Sequence, residues 1–343
     1  MSPPELYLGP WTIRRGATSL SVEHPIIAGP MAGCLDPPFR MVLHRSGCPL
    51  SFTEMISARA VFEGASRTRR LFSWVPDQGS SCAQIFGSDP VYLAHAASEM
   101  EKAGHHMIDL NAGCPKRKVC RTGAGSSMLK DPDNLLKCIG SILDAVNVPV
   151  GIKMRMGVHH LEEHSLKDLI SNLQSIGLSY IAMHPRTMVQ QYSGKAYREL
   201  IDRMSGWTGI PLIASGDVRS SGDVRDYLER GATSVMVARG HLGDPTWTAR
   251  ALNALRGGTP DERFPETRTQ LLHHISLLKE HLSCSIEWYG EKRGTMEFRP
   301  HFGWYIKRFE GRREYRQRMY SLTGREETLR LVDEVANDWG SSL

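Results

Sequence analysis

Eight short apolar segments recur between residues 25 and 239 of this 343-residue chain, and polar or amphipathic stretches separate them. The stretches after several of these segments have helical periodicity, begin at Asp or Ser and end at Gly, as helices commonly do. Apolar strands that alternate with helices predict a parallel sheet covered by helices. Eight such units predict an α/β fold, a closed (β/α)8 TIM barrel. The segments are 25–31, 51–55, 82–87, 107–111, 148–154, 179–185, 210–215 and 233–239.

Two further regions flank this pattern. Residues 8–24 have β character and suit a hairpin that closes the bottom of the barrel. After about residue 260 the helical periodicity continues without any strand-like segment. We therefore predict a catalytic barrel domain at 1–262 and an all-helical domain at 263–343. Four glycines are expected to break the helices of the second domain: Gly290, Gly294, Gly311 and Gly324.

Composition limits the class of protein. Hydrophobic residues make up 41% and charged residues 23% of the chain, and no segment is long and apolar enough to span a membrane. The N-terminal residues lack a secretory signal, so a soluble, cytoplasmic protein without a membrane role is expected. The seven cysteines form no CxxC pair, and His159, His160 and His164 lack an evident further ligand. We therefore predict neither a disulfide framework nor a metal site.

The functional residues of a (β/α)8 barrel lie at the C-terminal ends of its strands. At these positions the chain has Cys114, in a basic Gly-rich loop, together with Lys153 and His184. The last two strands end in "SGDV" and "VARGHLGD", where glycines and backbone amides precede helix starts. Barrels hold phosphate groups with this arrangement, so a phosphate-bearing cofactor is expected.

Several of these motifs together resemble one family. They are "AGPMAGCLDPPFR", "TEMISA", "QIFGSDP", "DLNAGCPKRKV", "GIKMRMG", "HPRTMVQQYSG", "SGDV" and "VMVARGHLGDP". In this order they resemble the tRNA-dihydrouridine synthases, FMN-dependent barrel enzymes. The resemblance extends from about residue 7 to 310, because "RPHFGWYIKRFEG" resembles the helical domain of the bacterial B-type branch.

The resemblance implies how FMN is held and reduced. In that family NADPH reduces the flavin, which lies across the barrel mouth, and its phosphate lies against the ends of the last two strands. The matching residues for the flavin ring are Pro30, Met31, Gln84, Lys153 and His184. Those for the phosphate segments are Ser215, Gly216, Asp217, Ala238, Arg239 and Gly240.

The resemblance also assigns roles in the reaction. The reduced flavin passes hydride to C6 of a uridine in tRNA, and an acid on the opposite face must protonate C5, giving 5,6-dihydrouridine. Cys114 matches that acid, and a cysteine with a pKa of about 8.5 is mostly protonated at neutral pH. We expect its loop to be mobile and to close over the base. Asn111, Arg155 and Tyr192 match residues that hold the uridine, and Lys116, Arg117, Lys118 and Arg121 are placed to meet phosphates.

A second surface is needed because the target base must be swung out of a folded RNA. Residues 291–318 carry nine Lys or Arg against four Glu, interleaved with aromatic residues. One interpretation is a solvated helix face with its aromatic residues in the core. The alternative is a basic, aromatic surface that grips tRNA, which the resemblance favours. No obligate protein partner is evident.

Three departures from the family pattern leave other functions open. Pro185, Ser215 and Ala238 replace residues that are usually asparagine or glycine, all where contacts with FMN are expected. An RNA-binding homologue with impaired catalysis is therefore one alternative. Another is a flavin barrel that reduces a free pyrimidine or an enone.

Overall fold

The computed structural model describes residues 6–259 and 265–343. Within residues 6–259 it contains eleven strands, all short. Their bounds are β1 Trp11–Arg15, β2 Thr18–Val22, β3 Ile26–Ala28, β4 Leu50–Phe52, β5 Ile56–Ser57, β6 Ser80–Phe86, β7 Met107–Ala112, β8 Val150–Gly157, β9 Tyr180–Thr187, β10 Leu212–Ser215 and β11 Ser234–Val237.

The helices alternate with the strands and continue beyond them. In the described part of the chain they are α1 Pro37–Arg45, α2 Ala58–Phe62, α3 Ser66–Leu71, α4 Pro90–Lys102, α5 Arg117–Cys120, α6 Pro132–Ala145, α7 Glu163–Ser175, α8 Glu199–Ser205, α9 Ser221–Glu229, α10 Trp247–Leu255, α11 Arg268–Tyr289, α12 Glu291–Tyr305, α13 Arg312–Met319 and α14 Arg325–Gly340.

Strands β3 to β11 form one closed parallel barrel. Its order around the circumference is β3, β4, β6, β7, β8, β9, β10, β11 and back to β3, and the short β5 pairs with β6 beyond the end of β4. The predicted (β/α)8 barrel is thereby confirmed. The segment predicted as one strand at 51–55 is interrupted at 53–55, because Gln84 N donates to Thr53 Oγ1 (3.0 Å) instead of to a backbone carbonyl.

The bottom of the barrel is closed by the antiparallel hairpin of β1 and β2. Trp11, Ile13 and Val22 of the hairpin are buried against inward-facing residues of the barrel strands. Removing these apolar side chains from water stabilises the plug by roughly 1.5–3 kcal/mol each. The predicted hairpin is therefore present, and the opposite end of the barrel is the one left open for a site.

The caps that the sequence signals are formed. Asp89 accepts hydrogen bonds from the first backbone amides of α4, and Asp131 does so for α6. Ser220 and Asp223 form a reciprocal capping box at the start of α9. Such a cap stabilises a helix by roughly 1 kcal/mol. Because the cap residues are of characteristic types, the starts of these helices could be recognised from the sequence.

Helices α11 to α14 pack around a hydrophobic core of their own, with Phe298, Phe302 and Trp339 among its buried residues. Gly290 ends α11 with a φ of 81°, and Gly311 and Gly324 precede α13 and α14, as predicted. The predicted break at Gly294 is wrong, because this residue is buried inside α12. The predicted boundary at 262/263 lies in residues 260–264, outside the described residues, so the domain limits stay a prediction.

The helical region contacts the barrel along α1 and α11. Phe39 of α1 stacks on His281 of α11, with ring centroids 5.0 Å apart, and Arg45 pairs with Glu280 (2.8 Å). Asp36, which caps α1, accepts a hydrogen bond from Tyr289 OH (3.2 Å). These contacts join the two parts through buried and charged groups.

Three residues at this junction are of types that can bind metals. One donor atom each of Asp36, His281 and His301 lies within 4.8 Å of the others. Both histidines are buried, which lowers their pKa, and the Asp36 carboxylate already accepts from Phe39 N (3.1 Å) and from Tyr289. The aromatic packing of Phe39 on both imidazoles gives the group a structural role at the junction.

Among the described residues, no helix is both long and apolar enough to cross a membrane.

Candidate active site at the mouth of the barrel

The predicted site residues converge at the C-terminal ends of the strands. Parallel pairing places Gln84 of β6 beside Asp109 of β7, and Asn111 of β7 beside Lys153 of β8. Arg155 of β8 lies beside His184 of β9. Because neighbouring parallel strands end at the same rim, residues far apart in sequence line one opening.

Asn111 holds the Cys114 loop in place. Its Oδ1 accepts from Gly113 N (3.1 Å) and Cys114 N (2.9 Å), and its Nδ2 donates to Gln84 Oε1 (2.8 Å). The Cys114 carbonyl in turn accepts from Ser126 N and Ser126 Oγ, both at 3.0 Å. The loop predicted to be mobile is thus tied on both sides of the thiol. Asn111 is 7% exposed, and its predicted contact with uridine stays a prediction.

The Cys114 thiol is half-buried, and burial raises its pKa above the ordinary value of 9.0. A thiol with a raised pKa keeps its proton at neutral pH. It is therefore suited to donate a proton rather than to act as a nucleophile.

This assignment predicts a pH dependence. The alkylation rate of Cys114 by iodoacetamide should reach half its maximum at a higher pH than that of a free cysteine peptide, because only the thiolate reacts and burial raises the pKa of this thiol. The rate at the Cys114 peptide is measured by mass spectrometry across pH, with a free cysteine peptide as reference. A midpoint near or below neutral pH would mean that Cys114 is a thiolate and is no proton donor.

Arg155 is 1% exposed and connects two loops of the rim. Its Nε donates to Gly113 O (2.8 Å), and its Nη1 donates to Thr187 O (2.8 Å) and Gln191 O (2.6 Å). The guanidinium carbon also lies 5.4 Å from the centre of the Tyr192 ring, which is 54% exposed. The structure thus brings Arg155, Tyr192 and the Cys114 loop together at one side of the opening.

His184 is held as a neutral imidazole. Arg186 Nη1 lies 3.2 Å from His184 Nε2, so Nε2 accepts and the remaining proton is on Nδ1. Burial and the nearby cations Lys153, Arg155 and Arg186 lower the pKa of His184 to about 2. His184 is therefore an uncharged side chain with a donor at Nδ1.

The segment after β10 packs directly against His184. Gly216 has a φ of 106°, and a Cβ at this position would lie 2.7 Å from the His184 ring, so only glycine fits. Asp217 accepts from Arg186 Nη2 (2.5 Å) and Ala196 N (3.0 Å), which lowers its pKa. Ser215 Oγ donates to Met183 O (3.2 Å).

The end of β11 adjoins the end of β3. Gly29 N donates to Val237 O (2.7 Å), which brings the half-buried Pro30 and Met31 next to the segment that begins at Ala238. Gly240 is buried in the turn that follows, and a guanidinium nitrogen of Arg239 lies 4.0 Å from the Asp217 carboxylate. The two predicted phosphate segments are therefore neighbours.

The fully buried Asp109 and the half-buried Lys153 form a pair of opposite charge below the rim. Burial raises the pKa of Asp109 to about 7 and lowers that of Lys153 to about 8, and each charge favours the ionised form of the other. Within the described chain, no group accepts a hydrogen bond from Lys153 Nζ. A half-buried cation without an acceptor in the described chain suits a ligand that brings an oxygen or an anionic nitrogen to this point.

Beside this opening the loop after Cys114 carries exposed cations. They lie on or next to the short helix α5, so they face solvent where an RNA backbone can approach. They are Lys116, Arg117, Lys118 and Arg121.

Two charged residues of this site, Asp109 and Arg186, were not among the residues to which the sequence assigned a role. Arg186 is 2% exposed and fixes both His184 and Asp217, and Asp109 is fully buried beneath Gln84. Each charged residue lies in an apolar strand, two positions from a predicted site residue. Alternation along a strand places residues two apart on the same face, and this signal could have identified both.

Solved structures of other proteins share this barrel fold. Morphinone reductase superposes with a TM-score of 0.55 at 15% identity, covering 77% of this chain and 93% of that one. An old yellow enzyme from Trypanosoma cruzi superposes with a TM-score of 0.54 at 12% identity, covering 77% and 95%. At such low identity these matches establish the fold alone.

Sequence comparison is more specific. The profile of the dihydrouridine synthase (Dus) family matches residues 26–339. tRNA-dihydrouridine synthase B of Vibrio vulnificus is 32% identical over 299 residues, covering 86% of this chain and 90% of that protein. The Pseudomonas aeruginosa protein of the same name is 32% identical over 320 residues, covering 92% and 91%. The chain belongs to the dihydrouridine synthase family, which confirms the predicted resemblance.

Proposed function

We propose that this protein reduces a uridine of tRNA to 5,6-dihydrouridine with FMN as cofactor and NADPH as reductant. The observation that carries the proposal is the protonated thiol of Cys114, held at the same rim as Lys153 and His184 in a member of this family. When bound, FMN supplies the hydride that is added to C6 of the uracil ring.

The residues of the rim fit that cofactor. Lys153 offers a half-buried cation without an acceptor in the described chain, and neutral His184 offers a donor near it. Gly216 provides close backbone access, and Arg239 supplies a largely exposed cation near the phosphate segments. Together these groups would hold the polar edge of the flavin ring and its phosphate.

The chain's own residues then handle the substrate. Cys114 would donate a proton to C5 of the uracil ring, opposite the flavin. Arg155 and Tyr192 would lie along the base, where a cation stabilises the negative charge that develops on the carbonyl side. Asn111 keeps the thiol in place through its bonds to the loop backbone.

A direct experiment tests this function. The purified protein is reduced anaerobically with NADPH, unmodified tRNA is added, and the visible flavin spectrum and the dihydrouridine content are followed. We expect reoxidation with formation of one product per flavin, and no reoxidation by free uridine. Equal rates with free uridine would favour a reductase of small pyrimidines. A colourless protein that binds tRNA and stays inactive with added FMN would favour the impaired homologue.

The helical region is proposed to bind the RNA backbone. Five of the six aromatic residues predicted for this surface within 291–318 do not contribute to it, because Phe298, Phe302 and Tyr305 are fully buried and Phe309 and Tyr315 nearly so, while Trp304 is half-buried. That part of the prediction is wrong. The cations do face solvent, and one group around α13 surrounds an open cavity of about 480 Å³. It is lined by Arg312, Arg313, Arg316, Gln317 and Tyr320.

Replacing Arg312, Arg313 and Arg316 together by Ala should weaken tRNA binding. Each missing bond to a phosphate lowers the slope of log K against log salt by about 0.9, so the slope should fall by up to roughly 3. Affinity is measured by fluorescence titration at several salt concentrations. A matched triple variant on the outer barrel helices should bind as the wild type does: Lys137, Lys167 and Arg225 to Ala. Equal reductions in affinity for both variants would mean that net charge, not this surface, governs binding.

A further inference from the structure

Asp109 is a buried carboxylate that the proposed chemistry does not use. It lies in the middle of β7, is fully inaccessible to solvent, and accepts from Gln84 Nε2 (2.7 Å) and Tyr180 OH (3.0 Å). Burying a charge costs several kcal/mol unless it is well paired. Lys153 supplies an opposite charge nearby, and the hydrogen bonds of the carboxylate point to a second role besides this pairing.

The hydrogen bonds that start at Asp109 have one possible direction. An ionised carboxylate only accepts, so Gln84 must turn its amide nitrogen toward Asp109. Its oxygen then faces Asn111, which must present its own nitrogen (2.8 Å). The oxygen of Asn111 is thereby left to accept from the backbone N–H groups of Gly113 and Cys114.

Without the carboxylate this order is held from one end only, by the two backbone N–H groups of the loop. A side-chain amide can flip and exchange its donor for its acceptor, and the flipped Asn111 would present N–H groups to the N–H groups of the loop. The loop would then lose two hydrogen bonds next to the thiol. The charge of Asp109 therefore acts over two side chains on the backbone of Cys114.

We propose that Asp109 is a positioning residue whose carboxylate, through Gln84 and Asn111, sets the orientation of the amides that hold Cys114 at the rim. This inference rests on the proposed role of Cys114 as the proton donor. The chain of bonds itself does not depend on that role, so the two can fail separately.

The test replaces Asp109 by Leu, which has a similar size and no acceptor. At about pH 8, where the carboxylate is ionised, we expect iodoacetamide to alkylate Cys114 several-fold faster, because the loop no longer shields the half-buried thiol. Product formation in a single turnover should fall by about 10- to 100-fold, as expected for a misplaced reacting group. Site-specific mass spectrometry measures the alkylation rate, with Cys34, a half-buried thiol outside this loop, as an internal reference.

Tyr180→Phe is the matched control. It removes the other hydrogen bond to the same carboxylate but leaves the Gln84 to Asp109 bond, so Cys114 should be alkylated at the wild-type rate. A general disturbance of the core would affect both variants. If Asp109→Leu fails to fold, Gln84→Met interrupts the chain one bond further along, and its alkylation rate decides the question.

A second change can restore the order. Asp109→Leu combined with Asn111→Asp moves the carboxylate to the other end of the Gln84 amide, and an aspartate accepts from the loop in either orientation. The double variant should protect Cys114 better than Asp109→Leu alone. Wild-type alkylation and turnover in Asp109→Leu would overturn the inference. Full turnover in Cys114→Ala would instead show that Cys114 is not the proton donor. The alkylation rates would then still test whether Asp109 positions the loop.

Discussion

Cys114→Ala is expected to abolish most dihydrouridine formation while the protein still binds flavin and tRNA. General acid catalysis by a positioned side chain contributes about 10²- to 10⁴-fold, and the rate should fall by that factor. Alanine removes only a half-buried Sγ, and the hydrogen bonds that tie the loop are made by the backbone of residue 114. The loop should therefore keep its conformation.

The measurement is a single turnover of the reduced enzyme with unmodified tRNA, with product quantified by mass spectrometry. Cys120→Ala is the control, because Cys120 is also half-buried and its thiol contacts the Cys114 carbonyl (3.4 Å) and Ser126. It should retain a rate within about threefold of the wild type. If Cys120→Ala were slow and Cys114→Ala kept full turnover, Cys120 and not Cys114 would be the proton donor.

Gly294→Ala should destabilise the helical region by about 2–3 kcal/mol or more. A Cβ at this position would lie 2.4 Å from Ser285 O and 2.6 Å from the Ile286 Cα. These are backbone atoms of α11, so they cannot move aside as a flexible side chain can. The helices α11 and α12 would have to separate, which opens the core around Phe298 and Phe302.

Gly140→Ala is the same chemical change, and it should stabilise the protein instead of destabilising it. Gly140 lies inside α6, and no atom lies within 4 Å of a Cβ built there. Removing the flexibility of a helical glycine should stabilise that helix by up to about 1 kcal/mol. Hydrogen exchange of the amides in α11, α12 and α6 measures both changes locally. Unchanged protection of α11 and α12 in Gly294→Ala would mean that the helices are not held at this distance.

The barrel was predictable because its signals are local. Each strand is a short apolar segment, and helices α4, α6 and α9 begin at caps that are recognisable in the sequence. The interruption of the second strand at 53–55 was not predictable. It depends on a hydrogen bond between Thr53 and Gln84, which are 31 residues apart.

The site residues were partly predictable for another reason. The end of each strand lies at one rim in this fold, so the strand pattern alone was enough to place Cys114, Lys153 and His184 together. Their protonation states could not be obtained in that way. The pKa of His184 is lowered by burial and by three cations from β8 and β9 and one that follows β11, and only the closed barrel brings these groups together.

The helical region shows where local patterns mislead. Aromatic residues between cations in 291–318 resemble an RNA-binding surface, yet Phe298, Phe302 and Tyr305 form the core, while most of the cations face outward. Likewise Gly294 resembles a helix break and is instead a point of close contact between α11 and α12. Both differences depend on which face of a helix meets its neighbour.

The sequence by itself determined the barrel, the rim on which the chemistry lies and the family, because periodicity, caps and motifs are properties of neighbouring residues. The tertiary structure alone decided the state of the site. Contacts between different strands decide three features of it. Gln84 of β6 orients Asn111 of β7, cations from β8 and after β11 help to keep His184 neutral, and Gln84 also holds the buried carboxylate of Asp109. Burial and distance set hydrogen bonds and pKa values, and neither can be measured along a chain.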